Sequence, residues 1–265
     1  MQTTPPLTPL THYIRIIDVQ ARMALRADAS RYMLGYIWWI LEPLLFVAVF
    51  YLVFGVILNS GKANFIVFLM CGKLPFVWFS KTVVQSANSI INNRGLIGKV
   101  HIPKIIFPLA VVQESLYKQS AVFAMLFSVL LYNDYSVTSA YLWLLPLVLV
   151  NYLMITACAL VASYVVCLVR DFAMAIPLAM TFLLFASGIF WDVHDIGDPA
   201  KTDLVLALNP VAFILDCYRQ ILMYSQPPDA VHLGILGLVM GVVIVVMSWL
   251  MARSSQYLAM KALTS

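Results

Sequence analysis

The chain has 265 residues and a net charge of +4; 63% of its residues are apolar and only 11% are charged. So little of it suits water that an ordinary soluble domain is excluded, there is no room for a separate soluble catalytic domain, and a nucleic-acid partner is not expected. A membrane-spanning helix needs about 20 apolar residues to cross a hydrocarbon core of roughly 30 Å while making every backbone hydrogen bond internally.

Six stretches meet that need: Leu34 to Leu58, Phe65 to Ile91, Ile105 to Tyr132, Ala140 to Val169, Met174 to Phe190, and Val231 to Ala252. The fold class they predict is an all-α integral membrane protein of six spans occupying residues 33–252. A segment over residues 1–32 precedes the spans and a tail over residues 253–265 follows them. No short apolar core with a small-residue cleavage site precedes the first span, so no signal peptide is expected.

In the N-terminal segment Leu10, Tyr13, Ile14, Ile17, Ala21, Ala24 and Leu25 recur at helical spacing, with Arg15, Asp18, Arg22 and Arg26 on the opposite side. Thr8 and Pro9 supply a cap and a first-turn residue. This is an amphipathic helix, lying either in the membrane interface or against the domain's own cytoplasmic surface. On the first span Tyr36, Trp39, Phe46, Phe50 and Phe54 fall within roughly a quarter of the helical circumference. Such a ladder suits helix packing, lipid contact, or a path for a sliding sugar polymer, whose C–H faces stack on aromatic rings. Phe182, Phe185, Phe190 and Trp191 carry the same ambiguity.

Residues 92–104 join the second and third spans. Leu96, Ile97 and Val100 give this connection a small apolar face among Arg94, Lys99 and Lys104, which suits either a short helix plugged into a partner's cleft or an ordinary basic loop. Glu42, Lys73, Lys81, Glu114 and Lys118 are charges inside apolar runs, where they usually face a partner or a watery cavity. Glu114 and Lys118 are spaced to pair along one helix face. Lys81 lies about as far before the connection as Glu114 lies after it, so a cluster of Lys81, Glu114 and Lys118 is expected, as a bracing network or part of a path.

The longest polar connection, 191–230, contains a semi-apolar stretch from Leu204 to Leu208. After it come Asn209 as a cap, Pro210 at a first turn, and a helical pattern from Val211 to Met223 that Pro227 and Pro228 should end. One or two short helices dipping back as a partial lid are expected here. Asp192, His194, Asp195 and Asp198 invite a metal reading, but a solvated loop explains them. Cys71, Cys158, Cys167 and Cys217 lack metal-ligand spacing and read as packing residues. His12, His101, His194 and His232 lie far apart. No Walker A pattern exists: Gly72 and Lys73 are followed by Leu74, and Val67 stands where the motif needs Gly.

With the N-terminus inside, the inner side carries ten cations (Arg15, Arg22, Arg26, Arg31, Arg94, Lys99, Lys104, Arg170, Arg253, Lys261) and the outer side three (Lys62, Lys201, Arg219), which places both termini in the cytoplasm.

Several segments together resemble one family, the membrane subunits of type-2 ABC exporters, and within it the branch serving O-antigens, capsules and teichoic acids. They are Leu34 to Trp39 with Glu42, Pro43 and Leu44; Asn93 to Val100 through Pro103 and Pro108; Arg170 and Asp171; and Asn209, Pro210 through Tyr218 and Arg219. The resemblance implies a homodimeric channel in the bacterial inner membrane, bound to two copies of a separate ATPase that holds ATP and Mg, so this chain needs no cofactor and is not itself an enzyme. It further implies a polyprenyl-linked glycan as substrate, an interface helix at the N-terminus, and a coupling helix within Arg94 to Pro103. Asn209, Pro210, Tyr218 and Arg219 would belong to an outer gate, and Arg22, Arg26 and Arg31 are candidates for the lipid pyrophosphate. A permease for a small hydrophobic drug or lipid would share these features. An intramembrane enzyme and a pure anchoring scaffold find less to build on.

Overall fold

The computed structural model describes residues 9–31, 33–57, 65–99 and 102–264. Thr8, Lys62, Val100 and His101, together with the side chains of Leu10, Phe50 and Phe54, lie outside the described residues. Twelve α-helices follow one another, with no strand among the described residues. They are α1 (Pro9–Arg31), α2 (Trp38–Phe50), α3 (Phe65–Ala87), α4 (Ser89–Asn92), α5 (Arg94–Ile97), α6 (Ile106–Tyr132), α7 (Leu144–Leu168), α8 (Phe172–Ala186), α9 (Pro199–Leu208), α10 (Pro210–Leu222), α11 (Ala230–Arg253) and α12 (Ser255–Thr264).

Five of the helical stretches are long and apolar enough to cross a membrane: Gly35–Val53, Phe65–Ala87, Ile106–Tyr132, Ser139–Leu168 and Ala230–Arg253. The fifth span expected from sequence is shorter than predicted. At 15 residues α8 reaches only about 22 Å, less than the hydrocarbon thickness. It stops at Ala186 because Gly188 takes a left-handed φ of 69°, where an added Cβ would lie 2.9 Å from Val193 Cγ2. The second span also ends early, at Ala87, and the rest of its apolar run forms the separate turn α4.

Helix α3 is the hub, packed by α6, α7, α8 and α10, while α7 also carries α11. Leu69, Cys71, Leu74 and Phe76 of α3 join Leu126, Met154, Ile155 and Tyr218 in the main core. A smaller core at the other end gathers Ile90, Ile97, Phe107, Leu160, Met251, Leu258 and Ala262. By contrast α8 has no buried residue, and α2 and α11 are apolar yet mostly open, so their outer faces need lipid or another chain.

Helix α1 lies along α6. Its buried residues Ala21 and Ala29 are small and eight apart, which brings the two backbones close on one face. Asp18 is turned to that face rather than outward with the arginines. Its carboxylate accepts from Tyr117 Oη and pairs with Arg22 at 3.0 Å.

Candidate functional site

At one end of the bundle the connection 92–104 forms α5, a single helical turn. Asn93 Nδ2 donates to the Ser89 carbonyl at 2.7 Å and ties the turn to α4. Arg94, Gly95, Leu96 and Lys99 face outward, Leu96 being 40% exposed, and nothing lies within 4 Å of where a Gly95 Cβ would be. Ile97 does not share that face. It is 8% exposed and packed in the smaller core with Leu258 and Ala262 of α12, so Ile97 is removed from the expected Leu96, Ile97 and Val100 face; Leu96 stays outward beside Arg94 and Lys99, and Val100 lies outside the described residues. The C-terminal helix supports this turn, and the only sequence signal for it is that the apolar Leu258 and Ala262 stand one helical turn apart.

Of the five charges within the apolar runs, Lys73 lies over the Phe46 and Phe76 rings at 5.6 and 5.9 Å, and the other four divide into two sets. Lys118 Nζ lies 2.8 Å from Glu114 and 2.7 Å from Asp28 of α1. Lys81 pairs with Glu42 of α2 at 2.5 Å rather than with Glu114, which corrects the expected three-residue cluster. Matching depth along antiparallel helices says nothing of rotation, and rotation here turns Lys81 toward α2. Burial opposes ionisation of Asp28, but the hydrogen bond and charge of Lys118, with the Trp39 Nε1–H donating at 3.2 Å, hold its carboxyl below the usual value. For Asp18 the Tyr117 hydroxyl bond is the main cause of a lowered pKa, with Arg22 adding to it against the effect of burial.

Helix α6 spans 27 residues, about 40 Å, and exceeds a bilayer core by several residues. The half bearing Glu114, Tyr117 and Lys118 is the half against α1, whose exposed Arg22, Arg26 and Arg31 cannot sit in hydrocarbon. These charges therefore lie in the half of α6 covered by α1. Side-chain exposure of 67% leaves Arg22 accessible despite Asp18.

At the other end Asp192, Asp198, Asn209 and Asp229 each cap a helical start through backbone N–H groups, at 2.9 to 3.2 Å. Asn209 Nδ2 also donates to the Ala186 carbonyl and Ser187 Oγ, binding the head of α10 to the end of α8. Pro210 occupies the first turn of α10, and α9 and α10 meet at 112°. Helix α10 stops at Leu222, before Pro227 and Pro228, because Ser225 turns left-handed at φ 52°.

Tyr218 and Arg219 do not face outward. Tyr218 accepts from Asn151 Nδ2 at 3.3 Å. Arg219 is 1% exposed, its guanidinium 3.6 Å from the centre of the Phe68 ring and Nη2 donating to the Ile189 carbonyl at 3.2 Å. This replaces its expected place among the outer cations. Gly72 makes the room, since a Cβ there would stand 2.6 Å from Nη2.

Of the aromatic residues, Tyr36 in the turn before α2 and Phe46 on α2 are open, and Phe182 and Phe185 are open on α8, with Phe190 5.6 Å from Phe185. Trp39 leaves that row. It meets Tyr36 edge to face and turns its Nε1 to Asp28, under Lys118 Nζ.

No family model matches the chain. It is 28% identical over 228 residues to the O-antigen export system permease protein RfbA of Myxococcus xanthus, covering 83% of this chain and 85% of that one. The chain is similar to export permeases along most of its length. It is also 25% identical to an RfbA of Klebsiella pneumoniae over 72% of this chain and 73% of that protein. To the polysialic acid transport protein KpsM of Escherichia coli it is 26% identical, over 81% of this chain and 83% of that one. A match spread along four-fifths of the chain takes in at least part of both the turn α5 and the pair α9 and α10, because neither could be omitted with 228 residues aligned.

Proposed function

We propose that the protein is the membrane-spanning permease subunit of a type-2 ABC exporter that moves a polysaccharide out across the bacterial inner membrane. The single observation that carries this reading is similarity over most of the chain to permeases of O-antigen export and of polysialic acid transport, joined to five apolar helices able to span. The names of these relatives favour a glycan over a small hydrophobic molecule.

In finer detail the proposal has two copies of this chain forming a path, with a polyprenyl-linked glycan as substrate. Two copies of a separate ATPase drive it, and ATP and Mg belong to that partner. The exposed aromatic faces of α2 and α8 are the surfaces from which such a path would be built, and Arg22, Arg26 and Arg31 stand ready for an anionic lipid head. Turn α5 docks the ATPase through Leu96, Arg94 and Lys99, and the pair α9 and α10 closes the outer end.

The test is deletion of the gene in its host, followed by separation of inner and surface glycolipids. The expected outcome is an inner lipid-linked polymer that accumulates while its surface form disappears, rescued by the intact gene. Rescue should fail with Leu96→Asp, which still inserts in the membrane but no longer co-purifies with the ATPase. Unchanged surface glycan after deletion would overturn the reading.

A further inference from the structure

Between the end of α1, the start of α2 and the middles of α3 and α6 lies a cavity of about 320 Å³. A second of about 320 Å³ adjoins it, sharing Asp28, Gln85 and Lys118 and reaching Asn88, Asn92 and Asn93. Their size is that of a small-ligand pocket, roughly 300 Å³ and upward. The lining is unlike the interior of a span. Trp38, Trp39 and Trp78 contribute indoles, and Gln85 and Gln119 contribute amides.

Much of the polar lining is engaged within the protein. Trp78 Nε1 donates to Ser115 Oγ at 3.2 Å, and both lysines are held by carboxylates. Gln119 is different: it is 5% exposed, and its Nε2 has no partner. Ser89 Oγ, in the wall of the adjoining cavity, is likewise buried without one. Leaving a buried donor unpaired costs free energy that a ligand acceptor recovers.

Charge narrows the ligand class. Asp28, Glu42 and Glu114 outnumber Lys81 and Lys118, and Lys118 already touches two carboxylates. A phosphate or pyrophosphate would meet a surplus of negative charge here. A ring with hydroxyls at its rim and apolar C–H faces would meet amide donors and carboxylate acceptors at the edge and indoles on the flat.

We propose that the two joined cavities form a saccharide-binding pocket within each copy of the protein, taking an uncharged or amino-bearing sugar whose hydroxyl accepts from Gln119 Nε2 and whose ring packs on the indoles. The proposal rests on the export reading for the source of the sugar, a free oligosaccharide or the sugar end of a lipid-linked chain. It places recognition inside one copy, beside the interface helix, and separate from any path between copies.

The experiment titrates the full-length protein in lipid nanodiscs with methyl glucoside, methyl glucosaminide, methyl glucuronide, inorganic pyrophosphate and glycerophosphoethanolamine, following intrinsic tryptophan fluorescence. The glucoside and glucosaminide should give saturable changes, with the glucuronide and pyrophosphate at least tenfold weaker. Gln119→Leu should weaken glycoside binding at least tenfold while melting at or above the wild-type temperature, because it removes an unpaired polar atom at little change of shape. Trp39→Phe, which removes the bond to Asp28 and shrinks the ring, should weaken it as well. No saturable change with either glycoside, or equal binding by Gln119→Leu, would overturn the pocket. Tighter binding of pyrophosphate or glycerophosphoethanolamine would overturn it in favour of a lipid headgroup. Gene deletion separates the two claims: lost surface glycan without glycoside binding overturns the pocket alone, and unchanged surface glycan overturns the export reading whatever the pocket binds.

Discussion

Glu42 and Lys81 belong to different spans, and their side chains are a third and a half exposed. Such a pair contributes about 0.2–1 kcal/mol, and bringing two like charges together there costs a similar amount. Lys81→Glu should therefore lower the melting temperature of the purified protein slightly. Adding Glu42→Lys should restore it, whereas adding Glu114→Lys should not, and restoration by the Glu114 change would sink the pairing. At this scale the sequence was readable where partners share a helix, as with Glu114 and Lys118, since the i to i+4 period leaves one geometry. It was silent where partners come from different helices. Asp28, Glu42 and Gly72 have no local signal for the lysines and arginine they serve, because helix rotation and packing decide those contacts.

Turn α5 is too short to hold itself. Four residues form one helical turn with few internal bonds, and isolated turns are unfavourable in water. Its stability comes from Ile97, wedged against Leu258 and Ala262, with Leu263 Cδ2 3.6 Å from where a Gly98 Cβ would stand. Leu258 is fully buried, and truncating such a side chain costs about 2–5 kcal/mol. Leu258→Ala is expected to loosen the turn without touching Leu96. Protease cleavage between residues 94 and 99 should rise and ATPase co-purification should fall, measured side by side with the wild type. Unchanged cleavage would show that α12 does not support the turn. Elements with a strong cap and proline signal, such as α10 after Asn209 and Pro210, could be read directly. The ends of α8 and α10 could not, since Gly188 and Ser225 act through backbone angles that hydropathy does not report.

Across the whole molecule, the charge bias that orients the spans becomes sharper once Arg219 is seen to be buried. Arg219 lies within α10, its guanidinium sealed against Phe68 and the Ile189 carbonyl, so it is not a cation of an exposed connection. Among the described residues of the loops assigned to the outer side, this leaves Lys201, itself 3.3 Å from Asp198, against the exposed Arg15, Arg22, Arg26, Arg31, Arg94 and Lys99 at the other end. Lys and Arg in short connections are retained on the cytoplasmic side, so the end bearing α1, α5 and α12 should face the ATPase and the end bearing α9 should face outward. Cysteines placed singly at Lys201 and Gln256, both exposed, would report this in intact cells. Cys71, Cys167 and Cys217 are buried and Cys158 is only partly open, so background labelling can be subtracted from the parent protein. A membrane-impermeant maleimide should label Lys201→Cys in whole cells, and Gln256→Cys only after the membrane is opened. The reverse pattern would put α5 on the outside, out of reach of any cytoplasmic ATPase, and would remove the physical basis for coupling through Leu96.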